Sequence, residues 1–187
     1  EKTNLIEHIQ KPGGNITGVR FPGPDLAVKR FEVLREIVPN AKKIWIPYQR
    51  GYPIVKSQME LLNPAVKNAG ITLIEFPADD AAEIESELKR KISQNDCDID
   101  AIFFIAEPLS CTEDAFKEIC KFAYNYRIPL GGVIMRVGEY ESIFGVNVDI
   151  PKTGEQAAVL ADKILKGTPA GMIPVISSES YLEINYR

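Results

Sequence analysis

From Asp25 onward, short apolar bursts alternate with longer stretches whose apolar residues recur at three- and four-residue spacing, and this alternation limits the fold more than anything else in the chain. In "DLAVKRFEVLREIVP" the residues Leu26, Phe31, Leu34, Ile37 and Val38 share one helical stripe, with Asp25 placed as N-cap and Pro39 after the end. "KKIWIPYQ" is too short for a helix and reads as a strand. "PIVKSQMELLNPAVKNAG" predicts a helix that opens on Pro53 and closes on Gly70, kinked or restarted at Pro64. "ITLIEFPA" is a strand, and "DDAAEIESELKRKISQ" a helix with acids in its first turn and bases near its end, as the helix dipole favours. "IDAIFFIAE" is almost continuously apolar, which predicts a strand covered on both faces. "TEDAFKEICKFAYNYR" is a helix with Thr112 as cap. "IPLGGVIM" and "SIFGVNV" are strands separated by "RVGEYE", and "TGEQAAVLADKILKG" and "SYLEINY" are a helix and a terminal strand. The pattern predicts an α/β domain with a largely parallel sheet, helices on both faces and right-handed crossovers. Ahead of it stand a helix-like scrap, "TNLIEHIQ", and two turns in "QKPGGNITGVRFPGPD", punctuation that comes unusually early for the start of a domain.

The 187 residues suit one domain with trimmings. No apolar run approaches the ~20 residues needed to span a bilayer, and no basic start leads into an apolar signal region, so any signal segment is expected to lie outside this sequence. A net charge of −4, with lysine and arginine scattered, leaves no basic face for phosphates and argues against nucleic acid as a partner. Three cysteines without a C-x-x-C, and His8 as the only histidine, supply neither a disulfide framework nor a zinc site. Neither G-x-x-x-x-G-K-[ST], G-x-G-x-x-G nor G-x-S-x-G occurs. The expectation is a protein that is not an enzyme and uses no cofactor or metal.

Ligands of open parallel sheets gather outside the carboxyl ends of the strands. The loops there offer Tyr48, Gln49, Arg50, Tyr52, Glu107, Arg136 and Asp149, groups suited to holding a small molecule by stacking and charge-assisted hydrogen bonds. Each of them also has a plain reading as loop polarity facing water. Trp45, inside a strand, is expected in the core.

The order of segments resembles the substrate-binding proteins of one ABC-transporter family, the tryptophan- and phenylalanine-binding type built on the type I periplasmic-binding fold. The matching pieces are "QKPGGNITGV", "VPNAKKIWIPYQRGYP", "KNAGITLIEFPA", "IPLGGVIM", "FGVNVD" and "TGEQAAVLADKILKGTPAGMIPV", which run almost end to end in the family's order. The resemblance implies two Rossmann-like lobes joined by three crossover strands, with a solute clamped between them by hinge closure. It assigns residues 1–24 to a remnant of the amino-terminal lobe and the first crossover, residues 25–143 to the carboxyl-terminal ligand-binding lobe, and residues 144–187 to the return crossover, a helix of the other lobe and the final crossover strand. On this reading the early turns are the first crossover. The helix over residues 151–167, with Ala157, Ala158, Leu160, Ala161, Ile164 and Leu165, then carries a face meant for a lobe outside the sequence. It is expected to fold back on its own lobe or to be buried in a homodimer.

The implied function is the periplasmic or extracellular solute-binding component of an importer, with a small-molecule solute and an ABC permease as partners. The alternative is the extracellular ligand-sensing domain of a membrane signalling receptor, and a phosphoryl- or hydride-transfer enzyme is disfavoured by the missing loops. Departures from the family pattern bear on the ligand. Ile54 and Val55 stand where the family has Asn-Ser, Ala106, Glu107 and Pro108 replace a "TDN"-like loop, and the family's acidic position falls near Ile134 and Met135. Asn147 occupies the place of the family's "GFD" aspartate. These changes point away from a zwitterionic aromatic amino acid and towards a larger, less polar or anionic solute, with Arg50 and Arg136 as anion partners.

Overall fold

The computed structural model describes residues 5–94, 96–133 and 135–185. In chain order the elements are β1 (Val19–Arg20), α1 (Gly23–Ile37), β2 (Lys43–Gln49), α2 (Pro53–Asn68), β3 (Thr72–Ala78), α3 (Ala81–Ser93), β4 (Ala101–Phe103), α4 (Glu113–Tyr126), β5 (Leu130–Gly132), β6 (Arg136–Val137), β7 (Tyr140–Glu141), β8 (Phe144–Val148), α5 (Ile150–Leu165), β9 (Ile176–Ser177) and β10 (Ser180–Ile184). Two compact units result, one made of Glu1–Pro22 and Val148–Tyr181, the other of Gly23–Asn147 and Leu182–Arg187.

The larger unit is built on a six-stranded sheet in the order β10-β8-β5-β4-β2-β3. The neighbours β3, β2, β4, β5 and β8 are parallel, with Trp45 opposite Ile74 and Ile102, and Ile102 opposite Leu130. The amide of Asn185 bonds to the carbonyl of Ile143 and that of Asp149 to Glu179, so β10 runs antiparallel to β8. The two-residue period of the strands divides the core. Trp45, Ile102 and Phe104 join Ile84, Phe116 and Ile119 on the face covered by α3 and α4. Ile44, Ile46, Phe103 and Ile105 join Phe31 and Leu62 on the face covered by α1 and α2. "AIFFI" is apolar at every position because both faces are covered, the parallel-sheet condition, and Trp45 is a core residue. Gly132 allows a close approach: with φ at 122° a Cβ there would lie 2.2 Å from the Phe104 carbonyl oxygen.

Several local expectations need correction. Helix α1 starts at Gly23, which leaves Asp25 in its first turn instead of at the cap. Helix α2 continues through Pro64, because that proline lies on the exposed face, where a carbonyl relieved of its partner can turn to water. Thr112 precedes α4 but its hydroxyl donates to the Leu109 carbonyl and caps nothing. "RVGEYE" forms the antiparallel hairpin β6–β7, with Gly138 at φ 60°, so the connection from β5 to β8 carries a hairpin where a crossover helix is usual. Ile134, in the expected strand "IPLGGVIM", lies outside the described residues.

In the smaller unit β1 and β9 pair in parallel, Val19 opposite Ile176, and the Thr17 hydroxyl donates to the Ile173 carbonyl at 2.8 Å. Residues 5–10 form bends where a helical scrap was expected, and residues 3 and 4 of that scrap lie outside the described residues. Helix α5 is capped by Asp149, whose carboxylate accepts the Lys152 amide. Only Leu160 of α5 is buried, and Ala157, Ala158, Ala161, Ile164 and Leu165 are exposed. Among the described residues no helix is long and apolar enough to cross a membrane.

Candidate functional site

The strand order locates the site. From β2 the chain moves outward to β3, then returns past β2 to lay down β4, β5 and β8 on the other side. The direction of winding therefore reverses between β2 and β4, and at such a reversal the loops leaving the two strands separate into a crevice. Tyr48 and Gln49 end β2, Arg50 and Tyr52 follow in its loop, and Glu107 lies after β4.

Both loops are tied together from within. Glu107 is 5% exposed. Its Oε2 accepts the amides of Gln49 at 2.9 Å and Leu109 at 2.8 Å, and its Oε1 accepts the amide of Ser110 at 2.7 Å. The Ser110 hydroxyl donates to the Pro47 carbonyl at 3.0 Å. Gln58, fully buried on α2, donates to the Ala106 carbonyl at 2.8 Å and accepts the Ala106 amide at 3.1 Å. The mouth of the crevice is thereby pre-organised by side chains bound to backbone on both sides.

The outer side of this edge is acidic. Arg50 is shared by Asp79 at 3.0 Å and Glu83 at 2.7 Å, which holds its guanidinium protonated more firmly than usual. The Tyr48 hydroxyl donates to Glu75 at 2.6 Å; burial and then that carboxylate push the phenol up to about 12. Tyr52, exposed at the start of α2, and Asn147, half-buried near the end of β8, keep their side chains at the same edge of the sheet. Asp149 is occupied as the α5 cap. Arg136 stands apart: it pairs with Glu141 and Glu183 in the hairpin and lines a groove of about 1210 Å³ with Tyr124, Pro129 and Leu130, residues that lead into β5 at the opposite edge of the sheet.

Two residues that position this edge were missed in the sequence. Gln58 sits on the apolar stripe of Val55, Met59 and Leu62, and Arg30 on the stripe of Ala27, Phe31 and Leu34. A polar residue on a buried stripe was the available signal. Arg30 is 2% exposed, donates from Nε to the Val146 carbonyl at 2.9 Å, and has no partner for Nη1. Burial lowers it to about 10. Burial likewise pushes the Cys111 thiol up to about 11, with the Glu107 carboxylate adding to the effect. Among the described residues no group of three His, Cys, Asp or Glu side chains could hold a metal ion. What the edge offers a ligand is hydrogen bonding, stacking and charge.

The family model described as ABC transporter substrate binding protein matches residues 2–186. A tyrosine-binding protein of Clostridioides difficile is 24% identical over 188 residues, covering 98% of this chain and 51% of the relative. Among solved structures, a conserved domain protein from Vibrio cholerae superposes with a TM-score of 0.76 at 26% identity, over 100% of this chain and 61% of that one. An ABC domain from Streptococcus pneumonia in complex with L-Trp gives 0.70 at 24% identity, over 97% and 61%. The chain thus spans about half the length of the curated relative and about three fifths of these solved chains. A transporter component is what the family describes, which does not favour the sensing receptor.

Proposed function

The chain belongs to the family of ABC transporter substrate binding proteins, and we propose that it forms one lobe, with the strands leading to the other, of an extracytoplasmic solute-binding component. The match over residues 2–186 is the observation that carries this reading. A small molecule is held between two lobes, and their closure presents the loaded form to an ABC permease. The solute is bound and released unchanged, without cofactor or reaction. Residues 25–143 are the carboxyl-terminal ligand-binding lobe, residues 1–24 the remnant of the other lobe with the first crossover, and residues 144–187 the return crossover, other-lobe helix and last crossover.

In this lobe Tyr48, Gln49, Arg50, Tyr52 and Asn147 face the solute, and Glu107 underlies them. Arg136 is left out of the set because the hairpin carries it to the opposite edge. The relatives named for tyrosine and L-Trp make aromatic amino acids the first solutes to test, followed by larger and less polar compounds. The exposed face of α5 is covered by the remaining part of the other lobe in the intact protein, and by a second copy when this chain stands alone.

The test is a thermal-shift screen of the intact two-lobed protein against amino acids, small carboxylates, nucleosides and sugars. A solute at one hundred times its Kd adds about 2.7 kcal/mol, a rise in Tm of several degrees. A folded protein that responds to none of these classes would overturn the receptor reading.

A further inference from the structure

We propose that Glu107 is a built-in anion: its carboxylate fills the anion-binding position at the β2/β4 reversal, so the lobe presents the solute with a negative field and no receptor for a carboxylate. The inference deepens the solute-binding reading and rests on it for the identity of the site.

Three backbone amides, that of Gln49 at the end of β2 and those of Leu109 and Ser110 after β4, converge on the two oxygens of one side chain at 2.7 to 2.9 Å. Converging amides of this kind form an anion nest, and bonds from amide to carboxylate are charge-assisted. In an open doubly wound sheet such donors at the reversal are what a ligand anion meets. Here they are already engaged, and the Ser110 hydroxyl, the adjacent donor, is committed to the Pro47 carbonyl.

Among the described residues no lysine or arginine forms an ion pair with Glu107; the buried Arg30, which like Glu107 acts on the Cys111 thiol, is a further cation at this edge. Beside it Glu75 accepts the Tyr48 hydroxyl and Asp79 and Glu83 share the single positive charge of Arg50, so that with Glu107 four carboxylates stand against the guanidiniums of Arg50 and Arg30. The summed field at this edge is negative, and the low dielectric around a buried carboxylate screens it weakly. A solute that presents an ammonium or another hydrogen-bond donor to this lobe is favoured. One that presents a carboxylate finds its donors occupied and its charge repelled. This departs from the expectation, drawn from Arg50 and Arg136, of an anionic group held here.

The nest itself is tested without any solute. In the intact protein, Glu107→Gly leaves three donors exposed to a vacated position. Sodium formate should raise the Tm of the variant by a few degrees in a saturable way, relative to sodium chloride at equal ionic strength, and leave the wild type unmoved. Equal responses to formate and chloride would overturn the proposal, whatever solute the protein binds. Should Glu107→Gly fail to fold, Glu107→Gln keeps the volume and removes the charge. Tyramine and 3-(4-hydroxyphenyl)propionate, tyrosine without its carboxylate and without its amine, are then compared by titration. The affinity for the amine should fall and that for the acid rise about tenfold each in the Glu107→Gln variant, so that the preference drops about a hundredfold, the size expected for one charge acting on two opposite charges across about 12 Å at an effective dielectric near 20. An unchanged ratio overturns the proposed field. Formate rescue with no solute bound would count against the receptor reading alone.

Discussion

Helices α4 and α5 are nearly the same length, 14 and 16 residues, and both carry an apolar stripe, yet they are held in opposite ways. Helix α4 has poor local signals: the Thr112 side chain caps nothing, and the helix ends on Arg127 in the left-handed conformation at φ 55°. That conformation costs a non-glycine residue about 1–2 kcal/mol. It persists because α4 buries Phe116, Ile119, Cys120 and Phe122 against the sheet and α3. Helix α5 has good local signals, with Asp149 capping its start and Gly167 at φ 94° just past its end, and it buries Leu160 alone. One helix is held by tertiary packing and tolerates weak ends. The other stands on its ends, with Leu165 86% exposed and Val159 58% exposed.

Truncation on the two stripes should have opposite outcomes. Phe116, fully buried and 5.8 Å from the Phe104 ring, should cost about 3–5 kcal/mol when changed to alanine. Leu165→Ala should cost under about 0.5 kcal/mol in the isolated chain at low concentration, where its side chain is solvated. Chemical denaturation of both variants checks the pair. A loss near 2 kcal/mol for Leu165→Ala would show that a second copy or another surface covers α5.

A second effect, felt only in alkali, separates the helices by their chemistry. Burial pushes the Cys120 thiol of α4 from an ordinary 9 up to about 12. Below pH 9 both folded and unfolded states keep the proton. Between pH 9 and 12 the unfolded chain releases it while the folded chain holds it, so stability falls as pH rises. Cys111 and Tyr48 act in the same direction, and Arg30, lowered to about 10, acts against them above that pH. Denaturation midpoints of Cys120→Ala and its parent across pH 8 to 11 should therefore diverge, the parent falling more steeply. Parallel curves would mean that the thiol is wetter than its place in the core requires.

The smallest effect is at the helix starts. Asp149→Ala should cost about 1 kcal/mol, as loss of a true cap does, and Thr112→Ala less, since its hydroxyl only bonds back to Leu109. Hydrogen exchange in the first turn of each helix reads the difference. Equal changes would show that α5 depends on its cap no more than α4 does.

The elements whose cause is local were legible in the chain before it folded. The two- and three-to-four-residue periods of "KKIWIPYQ", "IDAIFFIAE" and "TEDAFKEICKFAYNYR" need only their own side chains to declare strand or helix. Pro53 at a helix start and Gly70 in a left-handed turn need only their own backbones. The order of segments was enough to place the chain in its family. Tertiary structure alone decided which strand lies beside which, and with it the reversal between β2 and β4 that defines the site. It also decided that Arg136 would leave the strand ends in a hairpin of two-residue strands, too short to show a period. The same holds for Glu107, whose partners come from the end of β2 and the loop after β4, and for Arg30, whose acceptor is Val146, 116 residues away. A charged side chain looks the same in a sequence whether it meets water, a ligand or its own backbone; only the contacts made across the fold separate the three.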